Sequence, residues 1–508
     1  MVSSRQIAEL MDGRPPVQKA QCQLFTDKEG CSMPMAHRRR SRLSKFLGAF
    51  CAGVCCAAKK CPSTNLNEEQ DVRSSTQMCD LPDDILWHIL SFLQPKDVVR
   101  TSVLSKKWEH LSSNNPRLHI SQLNFRDQVH FVNFVDKALL LHDFPVKVFS
   151  LFCKRRSVSD TSLIDAWITA VVKRKVEVLH LCINEGLLEY VLPSCVFNSE
   201  TLIEFCLSMP YELRLPSLVC LNNLKVLTLA CVDFGSDSSV EKHLSCCSLE
   251  ELFLNRCKWR RLKVIQISAP KLLNVRIFEH PLYEGLESTL HLVVRGARIK
   301  SFIYRGRFID YYTISSSSSL VAAQIDLPLF GWPHPRHRHR CAYHEHKLLK
   351  DLSCVKRLSL FNPVELIYKR PDLLTSLTLF RHLNELVLET SRPVLLLEFG
   401  FIGAILHKSP CLSYLEFTWG ICVRSGTVDS NFGPVPQCLQ SSLKVIKICN
   451  FVADDRALKA IRILLKMAGV LEKLFIHPLR TKQLPGNLLQ LLNELPRTSD
   501  QCEFLLGV

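Results

Sequence analysis

The sequence predicts an α/β protein: a small helical module followed by an irregular solenoid of leucine-rich units stacked on a curved parallel sheet. Three observations carry this expectation. The 508 residues exceed one ordinary globular core. A helical apolar period begins at Leu81. Segments of the form L-x-x-L-x-L then recur to the end of the chain.

The helical period lies in LPDDILWHILSFL, where Ile85, Leu86, Ile89, Leu90 and Leu93 fall on one stripe and Asp83 and Asp84 occupy the first turn. Pro95 breaks the run. The next stretch, KDVVRTSVLSKKWEHL, sets Val98, Val99, Ser102, Val103 and Trp108 along a second helix or a pair of short ones. About 40 residues make a module that is marginal by itself and needs a neighbour.

The clearest repeats are VEVLHL from Val176, LIEFCL from Leu202, LKVLTL from Leu224, LEELFL from Leu249 and LLNVRI from Leu272, starting 26, 22, 25 and 23 residues apart. The pattern resumes as VKRLSL from Val355, LNELVL from Leu383, LSYLEF from Leu412, LKVIKI from Leu443 and LEKLFI from Leu471, at separations of 28, 29, 31 and 28. The gap between the two runs has room for two degenerate copies, IKSFIY from Ile299 and LVAAQI from Leu320. A strand in every unit, its inward residues alternating, stacks on its neighbours as a parallel sheet covered on one side by the intervening segments.

Composition narrows the function classes. A hydrophobic fraction of 47% and a charged fraction of 22% suit a chain that folds over most of its length. The net charge of +16 is dispersed in short clusters, without a long basic run or interleaved aromatics, so no direct nucleic-acid partner is expected. The 23 cysteines are odd in number and follow the strand-like segments, as at Cys182, Cys206, Cys231 and Cys449. They read as reduced, buried side chains in a nuclear or cytoplasmic protein.

Residues 1–78 have no sustained period, hold 12 basic and 7 acidic residues, and read as a mostly disordered basic extension containing cysteines. Cys51, Cys55, Cys56 and Cys61 beside the basic Arg38–Arg42 stretch suggest lipidation or metal binding, but their spacing is not that of a paired zinc site. The apolar run Phe46–Ala58 is too short to span a bilayer, and no membrane partner is expected. The tract HPRHRHRCAYHEH, with His334, His337, His339, His344, His346 and Cys341, reads as an exposed surface loop rather than a metal site. No catalytic motif stands in a supporting context, so neither a cofactor nor an enzymatic activity is expected.

The segment Cys79–Leu118, with LPDDILWHILSFLQPKDVVRTSVLSKKW, resembles the F-box, and an F-box followed by degenerate leucine-rich repeats is similar to a large plant class of F-box/leucine-rich-repeat proteins. The stretches VPQCLQSSLKVIKICNF, AIRILLKMAGVLEKLFI and LPRTSDQCEFLL resemble the FBD region of the same class. The implied domains are an extension at 1–78, an F-box at 79–120, degenerate repeats at 121–434 and an FBD-like region at 435–508. The resemblance implies that the F-box binds a Skp-type adaptor, which joins a cullin and a RING protein in an SCF ubiquitin ligase, while the repeats hold an unknown target protein. It places the adaptor surface on, or supported by, Leu81, Pro82, Ile85, Leu86, Ile89, Val98, Val103, Leu104 and Trp108. Trp108 and Leu104 are expected to pack the F-box itself. Other readings are a non-catalytic repeat scaffold, tethered to a membrane through its tail, and a small-ligand receptor with a pocket in the repeats.

Overall fold

A computed structural model describes residues 81–507 except 91–92, 94, 141–144, 154–160, 184–189, 214–220, 235–241, 246, 259–263, 280–290, 297, 307–310, 315–318, 327–337, 362–370, 390–393, 396–400, 424–433, 480–485 and 487. The cysteine-containing basic tail of the sequence analysis, together with His334 and His337, lies outside the described residues. The chain divides into two compact units, one ending at Leu187 and one formed by Leu188–Val508.

The first unit opens with three short helices, α1 (Asp83–Leu90), α2 (Pro95–Thr101) and α3 (Lys106–Ser113). Asp83 and Asp84 sit in the first turn of α1, where the helix dipole favours negative charge. Pro95 starts α2 instead of interrupting a longer helix, because proline costs nothing at a first helical position. Ser105 caps α3, its hydroxyl accepting from the Trp108 amide. Three parallel strands follow, β1 (Arg117–Ser121), β2 (Val148–Cys153) and β3 (Val178–Ile183). They are joined through helices α4 (Gln128–Leu140) and α5 (Thr161–Lys173). Phe131 of α4 meets Trp167 of α5 edge to face at 5.8 Å, and the Trp167 indole donates to Asp136 at 2.7 Å, so the helix pair is held by an aromatic contact and a polar clasp.

In the second unit the repeats form one parallel ladder. Its members in order are β4 (Glu204–Ser208), β5 (Val226–Ala230), β7 (Glu251–Asn255), β9 (Asn274–Phe278), β11 (Ser301–Arg305), β13 (Ala322–Asp326), β14 (Arg357–Phe361), β15 (Glu385–Glu389), β17 (Tyr414–Phe417), β19 (Val445–Phe451), β20 (Lys473–Pro478) and β21 (Glu503–Leu506). Both degenerate copies hold ladder places, as β11 and β13. Between β5 and β13 the connections carry a second parallel sheet of β6 (Lys242–Ser245), β8 (Val264–Ser268), β10 (His291–Arg295) and β12 (Tyr311–Ile314). After β13 the connections are mainly helical: α6 (Arg338–Asp351), α7 (Pro371–Thr375), α8 (Phe401–His407), α9 (Gln437–Ser441), α10 (Asp455–Met467) and α11 (Leu488–Asn493). A two-strand sheet, β16 (Val394–Leu395) with β18 (Ile421–Cys422), completes the unit.

All three leucine positions of the motif are buried, and this fixes the register. In the repeat around β15, Leu383 precedes the strand while Leu386 and Leu388 point inward from it, and none is exposed. Burying each contributes about 1.5–3 kcal/mol. A slip of one residue would turn that whole set to the other face, so neighbouring strands pair position for position, as in Arg357↔Glu385↔Tyr414↔Val445. The ladder shifts between Ile448 and Phe451 on β19, beside Asn450 in the left-handed region at φ 50°.

The His-rich tract departs from the expected loop. From Arg338 onward it is helix α6, whose Ala342, Glu345, Leu349 and Leu352 are buried at helical spacing. At α10, Asp454 accepts from the Ala457 amide at 2.7 Å and the apolar stripe Ala457, Ala460, Ile461 and Leu464 is buried.

The described cysteines are free thiols. Cys153, Cys182, Cys206, Cys257, Cys438 and Cys502 are buried, whereas Cys247 and Cys411 are exposed. Burial pushes the Cys438 thiol up to about 11 and the Cys153 thiol up to about 12. Brief alkylation at pH 8 should therefore label Cys247 and Cys411 and leave Cys153 and Cys438 unmodified until denaturant is added. Peptide mass mapping reads the pattern, and rapid native labelling of Cys438 would contradict it.

Candidate functional site

The three-helix module has a core of its own. Leu86 and Leu90 of α1, Val98 of α2, and Trp108 and Leu111 of α3 are buried together, with Leu81, Trp87, Ile89, Leu93 and Leu104 partly buried against them. Lys107 anchors the entry to α1, donating to the Leu81 carbonyl at 3.1 Å and pairing with Asp83 at 3.4 Å. The predicted residues thus fall into three groups. Leu86, Val98 and Trp108 are core; Leu81, Ile89 and Leu104 are partly buried around it; Pro82, Ile85 and Val103 are exposed.

The exposed members are informative because they are apolar. Ile85 is 48% exposed and Val103 is 81% exposed, and Val99, which sequence reasoning placed on the helix but not in the surface set, is 53% exposed. Val99 lies four residues before Val103, and that spacing was the available signal. Exposed aliphatic side chains held on a small rigid core are the raw material of a helix-to-helix interface.

The ladder of the second unit has two unlike faces. One is the leucine core. The other carries the first, third and fifth residues of each strand, and between β13 and β20 it is lined by charged and polar groups. Its centre is Glu416 on β17. Lys447 donates to its Oε1 at 2.9 Å and the Tyr414 hydroxyl donates to its Oε2 at 2.6 Å, with the Cys449 thiol 3.6 Å from Oε1. The Lys447 and Glu416 side chains are only 18% and 4% exposed. Burial opposes the charge on Lys447, but the hydrogen bond and charge of Glu416 outweigh it and hold the ammonium above its ordinary pKa.

Around this pair stand other acids. Asp326 is paired with Arg305 at 2.8 Å. Glu389 accepts from the Ser359 hydroxyl at 2.9 Å, and burial together with Asp326 and Glu416 raises its pKa against that hydrogen bond. Burial also raises the pKa of Glu385, with Arg357 opposing and Glu416 assisting. His477, on β20, is shifted the other way by burial and by Lys447. Gly507 lies against the His477 ring so closely that any Cβ there would collide with it. Of these face residues the sequence singled out only Cys449, as a buried thiol, and it is half-buried.

Among the described residues no group of three or more His, Cys, Asp or Glu could hold a metal ion, and no helix is long and apolar enough to cross a membrane.

Residues 78–120 match the F-box domain family. An FBD-associated F-box protein of Arabidopsis thaliana is 34% identical over 258 residues, which are 49% of this chain and 57% of that protein. An F-box/FBD/LRR-repeat protein of the same plant is 28% identical over 439 residues, covering 84% of this chain and 98% of the relative. A putative FBD-associated F-box protein from Arabidopsis thaliana is 26% identical over 445 residues, 83% of this chain and 98% of its own length. The chain spans little more than half of the first of these relatives and nearly all of the other two.

Proposed function

We propose that this chain, similar to plant F-box proteins with FBD and leucine-rich repeats, is the substrate-recognition subunit of an SCF-type E3 ubiquitin ligase of the nucleus or cytoplasm. The F-box takes a Skp-type adaptor, through which a cullin and a RING protein join; the repeat unit, including the FBD-like residues 435–508, holds the target. The observation that carries the reading is the helical module with its own core and with Ile85, Val99 and Val103 left outside it.

The mechanism is proximity. Ubiquitin transfer belongs to the partners, and this chain raises the effective concentration of target lysines near the loaded carrier. Nothing in its own side chains needs to react. Leu81, Ile89 and Leu104 support the surface from the rim of the core, while Pro82, Ile85, Val99 and Val103 meet the adaptor.

Co-purification of the full chain with a Skp-type adaptor tests this. The Val99→Asp, Val103→Asp double variant should keep the melting behaviour of the parent, because both side chains are exposed, and should lose the adaptor. Charge buried in an apolar interface without a partner costs several kcal/mol, enough to weaken binding by two orders of magnitude or more, on the order of 3 kcal/mol. An adaptor that never binds the parent chain, or binds both equally, leaves the non-catalytic scaffold as the better reading.

A further inference from the structure

Resting on the reading that the repeat unit holds the target, we infer that the open ladder face from β14 to β19 docks a basic segment of that target, whose cationic side chains pair with Glu385 and Glu389. The face is open in part: Phe361, Glu385, Glu389 and Tyr414 are partly exposed while Val387 and Glu416 are buried, and its layout is fixed by the strand register. Glu385 and Glu389 are the ends of β15, on one side of it, with Val387 between them. Across the ladder, Arg357 and Tyr414 flank Glu385, Ser359 and Glu416 flank Val387, and Phe361 lies opposite Glu389.

Charge complementarity decides the occupant. Glu416 already has Lys447, and Asp326 already has Arg305. Among the described residues neither Glu385 nor Glu389 has an ion pair; Glu389 has a serine hydroxyl and Glu385 only a more distant arginine. Both are half-buried beside other carboxylates, so each gains from an added cation more than an exposed glutamate would. Phe361 and Tyr414, both partly exposed, offer apolar surface for the alkyl stem of a lysine or arginine and ring faces for its charge. The +16 charge of the whole chain repels a basic partner at long range. Recognition is therefore short-ranged, made by seated side chains rather than by the field of the protein.

The test selects phage-displayed random dodecapeptides on the full chain bound to its adaptor, and then compares the selected peptides on the Glu385→Gln, Glu389→Gln double variant. Basic peptides should be enriched, and their affinity should fall roughly tenfold or more in the variant while adaptor binding is unchanged. Enriched peptides without lysine or arginine, equal binding to both proteins, or no enrichment at all would overturn the inference. Glu389→Lys guards against misfolding as the cause of a loss: it should gain affinity for a selected peptide whose basic residue is changed to glutamate, and failure of that exchange counts against the pairing. Adaptor binding is read separately, so a chain that selects basic peptides but takes no adaptor sinks the ligase reading and leaves the docking face standing.

Discussion

Replacing Lys447 by methionine should destabilise the repeat unit by about 3–5 kcal/mol, because it removes one half of a buried ion pair and strands the other. Glu416 would keep the Tyr414 hydroxyl on one oxygen but lose its ammonium in a site where its side chain is almost wholly out of water. The penalty belongs to the stranded charge more than to the lost attraction. Adding Glu416→Gln to Lys447→Met should therefore recover a large part of the stability, and the single and double variants make a thermodynamic cycle measurable by urea denaturation. A Lys447→Met protein as stable as its parent would show that water reaches Glu416 freely.

Glu345→Leu should act in the opposite direction. Glu345 is 3% exposed on the buried stripe of α6, its Oε2 has no hydrogen-bond partner, and burial pushes its carboxyl up to about 8 from an ordinary 4.5. The folded chain thus holds this proton more tightly than the unfolded chain. Stability from this group is fully present below pH 4.5 and is lost as the pH rises toward about 8, at about 1.4 kcal/mol per pH unit. Leucine would continue the buried apolar stripe of Ala342 and Leu349 and carries no proton. The variant should be the more stable by on the order of 3 kcal/mol at pH 7 and nearly equal to its parent near pH 4.5. Urea midpoints at pH 5, 7 and 8.5 measure the divergence; parallel curves would place a cation or water beside Glu345.

The leucine ladder was legible because its signal is redundant. Every repeat presents the same three buried positions, and even IKSFIY and LVAAQI, with little leucine, kept enough of the pattern to be placed. Strands β1, β2 and β21 were missed, β2 although Val146, Phe149 and Leu151 repeat the motif spacing one repeat length before the copy from Val176. The second sheet was missed because β6, β8, β10 and β12 are four or five residues each and lie inside connections that the repeat pattern treats as filler.

The candidate sites were legible only in part. Helical spacing finds the module around Leu86 and Trp108, but residues of one apolar stripe divide between core and surface according to how α1, α2 and α3 pack, which spacing does not specify. Hence Leu86, Val98 and Trp108 proved buried while Val99 proved exposed. The charged face was invisible for a simpler reason. Alternating polar residues such as Glu385 and Glu389 look the same in sequence whether they meet solvent or one another.

The position-for-position pairing of the ladder also bears on how the chain finds its fold. Each strand meets only the strands one repeat before and after it, so contacts in the sheet close loops of one repeat, 22 to 31 residues between the clear motif copies, wherever they occur along the chain. Loop-closure entropy is then paid in small, similar steps and never in one long-range step. Relative contact order falls as such a chain lengthens, and a repeat added to the array would extend the protein without imposing a slower search on the strands already present.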